Sequence, residues 1–230
     1  MAGILYIVAT HIGNFDDLTF RAKRIIKECD IIICEEAKPA KQLLKKLNLF
    51  KDIILLNEHT EKEISPIIVE ELKRGKNCCL ISDAGTPIFS DPGNYLIELT
   101  LLHNISISIV PGPDSLIPSL IVSGFDISKF YFAGWLSPKS EERKNELKRL
   151  KDIKETIAIM ETPYRLKQLL ADVIDVFGEK IRISIACDLT TPDEKIIRDK
   201  ASEVYKKILE ENLKCEFVLV IDNKKEKGAD

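Results

Sequence analysis

The residues with most capacity for chemistry in this chain sit directly after short apolar runs: THIGN (10–14), EEAK (35–38), SDAGTPIFSDPG (82–93), PGPDS (111–115) and ETPYR (161–165). The longest of these carries Pro87 and Pro92, Gly85 and Gly93, and Asp83 and Asp91. Gly85 lets a ligand approach the main chain closely. Pro87 fixes φ and removes an N–H. A stiff, preorganised DAGTP loop suits a wall around a small molecule, and a plain connector is the alternative. Asp91-Pro92 fits a helix N-cap followed by proline at the first helical position, and Thr162-Pro163 has the same form. PGPDS reads either as a second ligand wall or as an interdomain turn. Glu161 and Arg165 flank Thr162-Pro163 and are the more reactive pair in that segment.

Several chemistries are disfavoured. No GxGxxG follows the first apolar run, no GxxxxGK[ST] occurs, and no GxSxG elbow is present. His11, His59 and His103 are scattered, so no metal site is expected. The six cysteines, Cys29, Cys34, Cys78, Cys79, Cys187 and Cys215, form no CxxC pair. They are expected as buried reduced thiols of a cytoplasmic protein. The formal net charge of -3 makes any nucleic-acid surface a local patch rather than the whole molecule. No apolar run approaches the roughly 20 residues of a membrane span, and MAGILYIVATHIGN lacks the basic start of a signal peptide.

The elements that position these segments alternate. Apolar strands are expected at 4–9, 31–34, 53–56, 78–82 and 105–110. Helices are expected near 18–28, 38–47, 61–74 and 93–103. This argues for a mostly parallel α/β sheet covered on both faces. In such sheets ligands bind outside the carboxyl ends of the strands, where the segments above fall. PGPDS divides the chain, giving an N-terminal α/β domain over 1–114 and a C-terminal α/β domain over 115–224, with 225–230 a frayed tail. The second half is expected to run helix 115–123, strand 130–134, helix 140–152, strand 156–161, helix 164–177, strand 182–187, strand 195–198, helix 201–211 and strand 215–222.

LYIVATHIGNFDDLTFRA, SDAGTPIFSDPG, VPGPDSLIPSLIVSGF, GWLSPKSEER, ETPYRL and CEFVLVI occur here in the order and spacing of the tetrapyrrole methylase superfamily. Across nearly its whole length the chain resembles the branch of that family acting on 16S rRNA. The resemblance implies two α/β domains, a mostly parallel N-terminal sheet and a mixed C-terminal sheet. It implies S-adenosylmethionine as cofactor, held in a cleft between the domains, and a homodimer. The implied reaction is 2′-O-ribose methylation of a cytidine in 16S rRNA of the small (30S) ribosomal subunit. The alternatives are a small-molecule, tetrapyrrole-like methyltransferase and a non-catalytic RNA- or ribosome-binding relative. By the same resemblance the cofactor residues are His11, Asp83, Ala84, Gly85, Thr86, Phe89, Asp114, Ser115, Glu161 and Ala186. The chain departs from the family pattern at His11, where proline is usual, and at Asp114-Ser115, where Ser-Ala is usual.

Methyl transfer is an in-line displacement, so the protein's main task is positioning. A 2′-hydroxyl is a poor nucleophile while protonated, and a neighbouring group must help its proton leave. The candidates are Glu36, Glu161, Asp188 and Lys139, and a helix cap or surface ion pair is the ordinary alternative for each. Between Lys129 and Lys151, basic residues outnumber acidic ones and Tyr131, Phe132 and Trp135 are interleaved. Such a mixture suits single-stranded RNA, with Lys139, Arg143 and Lys144 as phosphate contacts. A solvated helix face over core aromatics is the competing reading.

Overall fold

The computed structural model describes residues 1–89 and 91–224. Ser90, within the long loop, and 225–230, the segment expected to fray, lie outside the described residues. The chain divides into two compact units, the first ending at Asp114 and the second starting at Ser115.

The first unit holds β1 (Ile4–Val8), β2 (Ile31–Cys34), β3 (Asp52–Leu55), β4 (Cys78–Ile81) and β5 (Ser106–Val110) in the order β3-β2-β4-β1-β5. Every pairing is parallel. Helices α1 (Phe20–Glu28) and α2 (Ala37–Lys46) pack on one face through Ile25, Ile26, Leu43 and Leu44. Helices α3 (Glu61–Lys73) and α4 (Asn94–Leu102) pack on the other through Ile68, Leu72 and Leu96. Because both faces are covered, β2 and β4 are buried at every position, which is why their sequences do not alternate apolar and polar. Helix α1 starts where the Thr19 hydroxyl accepts the Ala22 N–H at 3.0 Å, an N-cap bond.

The start of α4 corrects one expectation. Asp91 is not its cap: its carboxylate accepts the Ser82 hydroxyl at 2.6 Å, and Gly93 precedes the helix with φ of 134°. The orphan N–H groups are met from across the unit by Glu61, whose Oε1 accepts Gly93 N at 2.9 Å and Tyr95 N at 2.8 Å. A carboxylate there also complements the helix dipole.

The second unit begins with α5 (Leu116–Ser123). Its sheet, β6 (Phe130–Trp135), β7 (Thr156–Glu161), β8 (Arg182–Cys187), β9 (Lys195–Lys200) and β10 (Phe217–Ile221), is ordered β6-β7-β10-β8-β9. Only β6 and β7 run parallel; the other pairings are antiparallel. Helices α6 (Ser140–Lys151), α7 (Leu166–Phe177) and α8 (Ala201–Glu210) bury Leu147, Leu170, Val173 and Val204 against one face. Helix α5 covers the other through Leu116 and Leu120, against Ala158, Val218 and Val220.

Helix α6 corrects the phosphate contact expected of Arg143. Arg143 is only 2% exposed. Its Nε donates to Asp172 at 2.8 Å, its Nη2 lies 2.6 Å from the same carboxylate, and its Nη1 donates to the carbonyls of Ser137 and Pro138. Every guanidinium nitrogen is engaged and the side chain is buried, so Arg143 joins α6 to α7 and does not present its charge to RNA. Lys144 pairs with Asp175 at 2.9 Å. Lys139 is exposed and pairs with Glu142 at 2.9 Å.

Cys187 closes β8 and Cys215 precedes β10, its antiparallel neighbour, so the two lie side by side with Cα atoms 5.5 Å apart. Cys29, Cys34, Cys78 and Cys79 are free and buried.

Candidate functional site

In the first unit the carboxyl ends of the adjacent strands β4, β1 and β5 bring SDAGTP, THIGN and PGPD together. The Thr10 N–H donates to the Gly85 carbonyl at 2.8 Å, and the Thr10 hydroxyl donates to the Ser82 carbonyl at 3.0 Å. The Ser82 hydroxyl accepts the Ala84 N–H at 3.2 Å, which bends the loop on itself. Gly85 has φ of 84°, and a Cβ there would lie 3.3 Å from Ile12 Cγ2 and 3.6 Å from the Pro113 carbonyl. The DAGTP loop therefore packs against the segments that follow β1 and β5, and its left-handed centre favours glycine.

Beside this loop is a cavity of about 120 Å³, lined by Thr10, His11, Leu43, Lys46, Ser82 and Asp83 among others. Two buried polar atoms on its lining, His11 Nδ1 and Asp83 Oδ1, have no hydrogen-bond partner. His11 sits edge-on to Phe15 with ring centroids 5.6 Å apart. Burial, then the Lys46 charge, lowers its pKa from the usual imidazole value, which favours the neutral ring. Burial, followed by Glu36 and Asp91, raises the Asp83 pKa. Glu35 is raised by burial, then by Asp91, Asp83, Glu58 and Glu36, and burial pushes Cys34 up to about 11. Together these shifts mark a half-buried field of negative charge that a cationic group would relieve.

The other first-unit candidates lie around the same strand ends. Ala84 and Phe89 are exposed, Thr86 and Asp114 half-buried. Glu36 is the exposed residue preceding α2, and its side chain makes no capping bond.

In the second unit β6, β7 and β8 direct their carboxyl ends the same way, since β10 runs antiparallel to both β7 and β8. Glu161 closes β7 in register with Phe217, which is itself in register with Cys187. The Glu161 side chain is fully buried. Its Oε1 accepts Thr162 N at 2.7 Å and lies 2.6 Å from Arg165 Nη2. Glu161 Oε2 and Arg165 Nη1 are buried with no partner. Asp188 follows with φ of 46°, and its Oδ1 accepts the Glu216 N–H at 3.0 Å. Ala186 is buried in β8 and paired with Val218. Ser115 precedes α5 and its carbonyl accepts the Ser119 hydroxyl at 2.6 Å.

Sequence reasoning missed Lys46, which reaches the first-unit cavity from the far end of α2, and left Arg165 without a role. The signal for Arg165 was its i+4 spacing from Glu161, the spacing of neighbouring side chains on a turn of helix. Among the described residues no group of three or more His, Cys, Asp or Glu is placed to hold a metal ion, and no helix is long and apolar enough to cross a membrane.

The family model of the tetrapyrrole (corrin/porphyrin) methylases matches residues 4–205. The chain is 34% identical over 225 residues to ribosomal RNA small subunit methyltransferase I of Halalkalibacterium halodurans, covering 98% of this chain and 78% of that protein. It is 36% identical over 222 residues to the protein of that name from Thermotoga maritima, covering 96% and 99%. Among solved structures, diphthine synthase superposes with a TM-score of 0.74 at 15% identity, covering 95% of this chain and 89% of that one. A uroporphyrin-III C-methyl transferase from Thermus thermophilus, complexed with S-adenyl homocysteine, gives a TM-score of 0.66 at 16% identity, covering 95% and 97%. Those two structures share the fold. Matched by the family model over most of its length, and by such relatives over nearly all of it, the chain belongs to the tetrapyrrole (corrin/porphyrin) methylase family, in the branch of ribosomal RNA small subunit methyltransferase I.

Proposed function

We propose that this protein is an S-adenosylmethionine-dependent methyltransferase that modifies the 2′-hydroxyl of a cytidine in 16S rRNA of the small ribosomal subunit. The observation that carries this reading is near-full-length similarity at 34–36% identity to proteins named for rRNA methylation. The first-unit loop suits the cofactor: Gly85 holds it in a left-handed turn packed on Ile12 and Pro113, and the unpartnered Asp83 Oδ1 and His11 Nδ1 line one cavity. Asp83, backed by Glu35, Glu36 and Asp91, suits the cationic end of such a ligand. When bound, S-adenosylmethionine supplies an electrophilic methyl group.

The chain's own residues then have to orient the ribose and receive the hydroxyl proton. Of the four candidates, Lys139 is paired with Glu142, Asp188 with the Glu216 N–H, and Glu161 with Arg165. Glu36 keeps an exposed carboxylate at the carboxyl end of β2 and takes the role of proton acceptor in this reading. The RNA surface passes from Arg143 to exposed cations and aromatics such as Lys139, Tyr131 and Trp135.

Methyl transfer from labelled S-adenosylmethionine tests the reading on three acceptors. The expected order is 30S subunits, then free 16S rRNA, with no transfer to a tetrapyrrole. Transfer to the tetrapyrrole alone would support the small-molecule reading, and cofactor-free RNA binding the non-catalytic one. A homodimer is the further expectation. Leu101 and Leu102 of α4 and Ile109 of the edge strand β5 are 59%, 68% and 54% exposed, and such apolar surface fits a self-interface. Sedimentation at working concentration is expected to give twice the chain mass of 26.1 kDa, and the mass of a single chain contradicts it.

A further inference from the structure

The geometry points to the Glu161–Arg165 pair as a reader of one nucleobase edge: an exocyclic amino group beside an unprotonated ring nitrogen. This rests on the reading that the protein handles S-adenosylmethionine and RNA. The pair is made through one oxygen and one nitrogen, Oε1 and Nη2, 2.6 Å apart. That leaves an acceptor, Glu161 Oε2, and a donor, Arg165 Nη1, both buried and both without a partner. Two orphaned groups of opposite kind on one ion pair are unusual, because buried polar atoms are nearly always bonded.

The amino hydrogens of cytosine N4 satisfy the carboxylate oxygen, and its N3 accepts from the guanidinium. Uracil presents the reverse, an O4 acceptor and an N3–H donor, which sets oxygen against carboxylate. Carboxylate to cytosine N4 is an established base contact. Adenine carries the same amino-beside-nitrogen edge at N6 and N1, so the substrate cytosine and the cofactor's adenine share the chemistry recognised here. A second feature of the segment belongs with a base. Tyr164, next to Arg165, is 78% exposed, with Lys214 Nζ 3.7 Å from its ring centre, and an exposed aromatic with a cation suits base stacking.

Glu161→Gln tests the assignment with little disturbance. The amide oxygen takes over the Oε1 bonds to Thr162 and Arg165, and the amide NH2 replaces the free oxygen, turning an acceptor into a donor. The substrates are 30S subunits reconstituted with cytidine or uridine at the position the wild-type protein modifies. Wild type is expected to prefer cytidine in kcat/KM by about 10- to 100-fold, the discrimination of one good base contact. In Glu161→Gln that preference collapses or inverts, with S-adenosylmethionine affinity unchanged. Arg165→Met is expected to lower cytidine turnover with no gain for uridine.

The cofactor arm measures binding of S-adenosylmethionine and of its inosine analogue by calorimetry. If the pair reads adenine, Glu161→Gln loses about tenfold or more for S-adenosylmethionine, gains for the analogue, and leaves the cytidine preference intact. Either pattern supports an edge reader and tells the two sources apart. If wild type methylates neither RNA, the rRNA reading fails and the cofactor arm alone decides the pair. Folded Glu161→Gln and Arg165→Met proteins with wild-type base preference and wild-type affinities for both cofactors would overturn the assignment.

Discussion

Gly85→Val is expected to weaken S-adenosylmethionine binding by at least about tenfold and to destabilise the fold by about 1–3 kcal/mol, the cost of holding a branched side chain in left-handed backbone. The two effects have separate causes. The backbone at 85 has φ of 84°, so valine there is strained whatever the surrounding space. The new Cβ also meets Ile12 Cγ2 at 3.3 Å and the Pro113 carbonyl at 3.6 Å, so the loop has to move off the ends of β1 and β5. That movement breaks the 2.8 Å bond from Thr10 N to the Gly85 carbonyl and shifts His11 and Asp83 with it. Calorimetry well below the variant's melting temperature reads the binding loss in folded protein. Unchanged affinity there would remove the DAGTP loop from the cofactor site.

Arg143→Met is expected to cost about 3–5 kcal/mol, because it leaves the buried Asp172 carboxylate without its charge partner. The side chains of the pair are 2% and 8% exposed, so water compensates poorly. The Ser140 hydroxyl, 3.0 Å from Asp172, and Lys144, at 3.9 Å, keep the loss toward the lower end. The Arg143→Met, Asp172→Leu double variant should recover most of it, since an apolar pair of similar volume replaces two desolvated charges. Urea midpoints of the single and double variants measure this. A single variant within about 0.5 kcal/mol of wild type, the range of ordinary surface changes, would place Arg143 on the surface and restore its expected phosphate contact.

The fold was legible because its strands are short apolar runs and its helices carry one apolar stripe each. Ile31–Cys34 and Cys78–Ile81 are buried on both sides, and their unbroken apolar sequences announce it. The strand-end loops were legible as well, since chain order puts them at the carboxyl ends of a parallel sheet. What escaped was contact at a distance. Asp91-Pro92 has the local form of a cap, yet the cap of α4 comes from Glu61, whose acceptor role depends on how α3 lies against α4. Arg143 looked like part of a basic solvent face because its partner Asp172 is on another helix, 29 residues along. Cys187 and Cys215 are 28 residues apart and meet only because β10 lies beside β8. The half-made Glu161–Arg165 pair is visible only in the geometry of its atoms.

The most direct test of the central claim is the chemical identity of the methylated product on 30S subunits. Subunits from a strain lacking the modification are incubated with the protein and S-adenosylmethionine, and the 16S rRNA is digested to nucleosides and read by mass spectrometry. The account predicts new 2′-O-methylcytidine at a single position of 16S rRNA. A methyl group on a base, on another nucleoside, or absent from the rRNA altogether would contradict it.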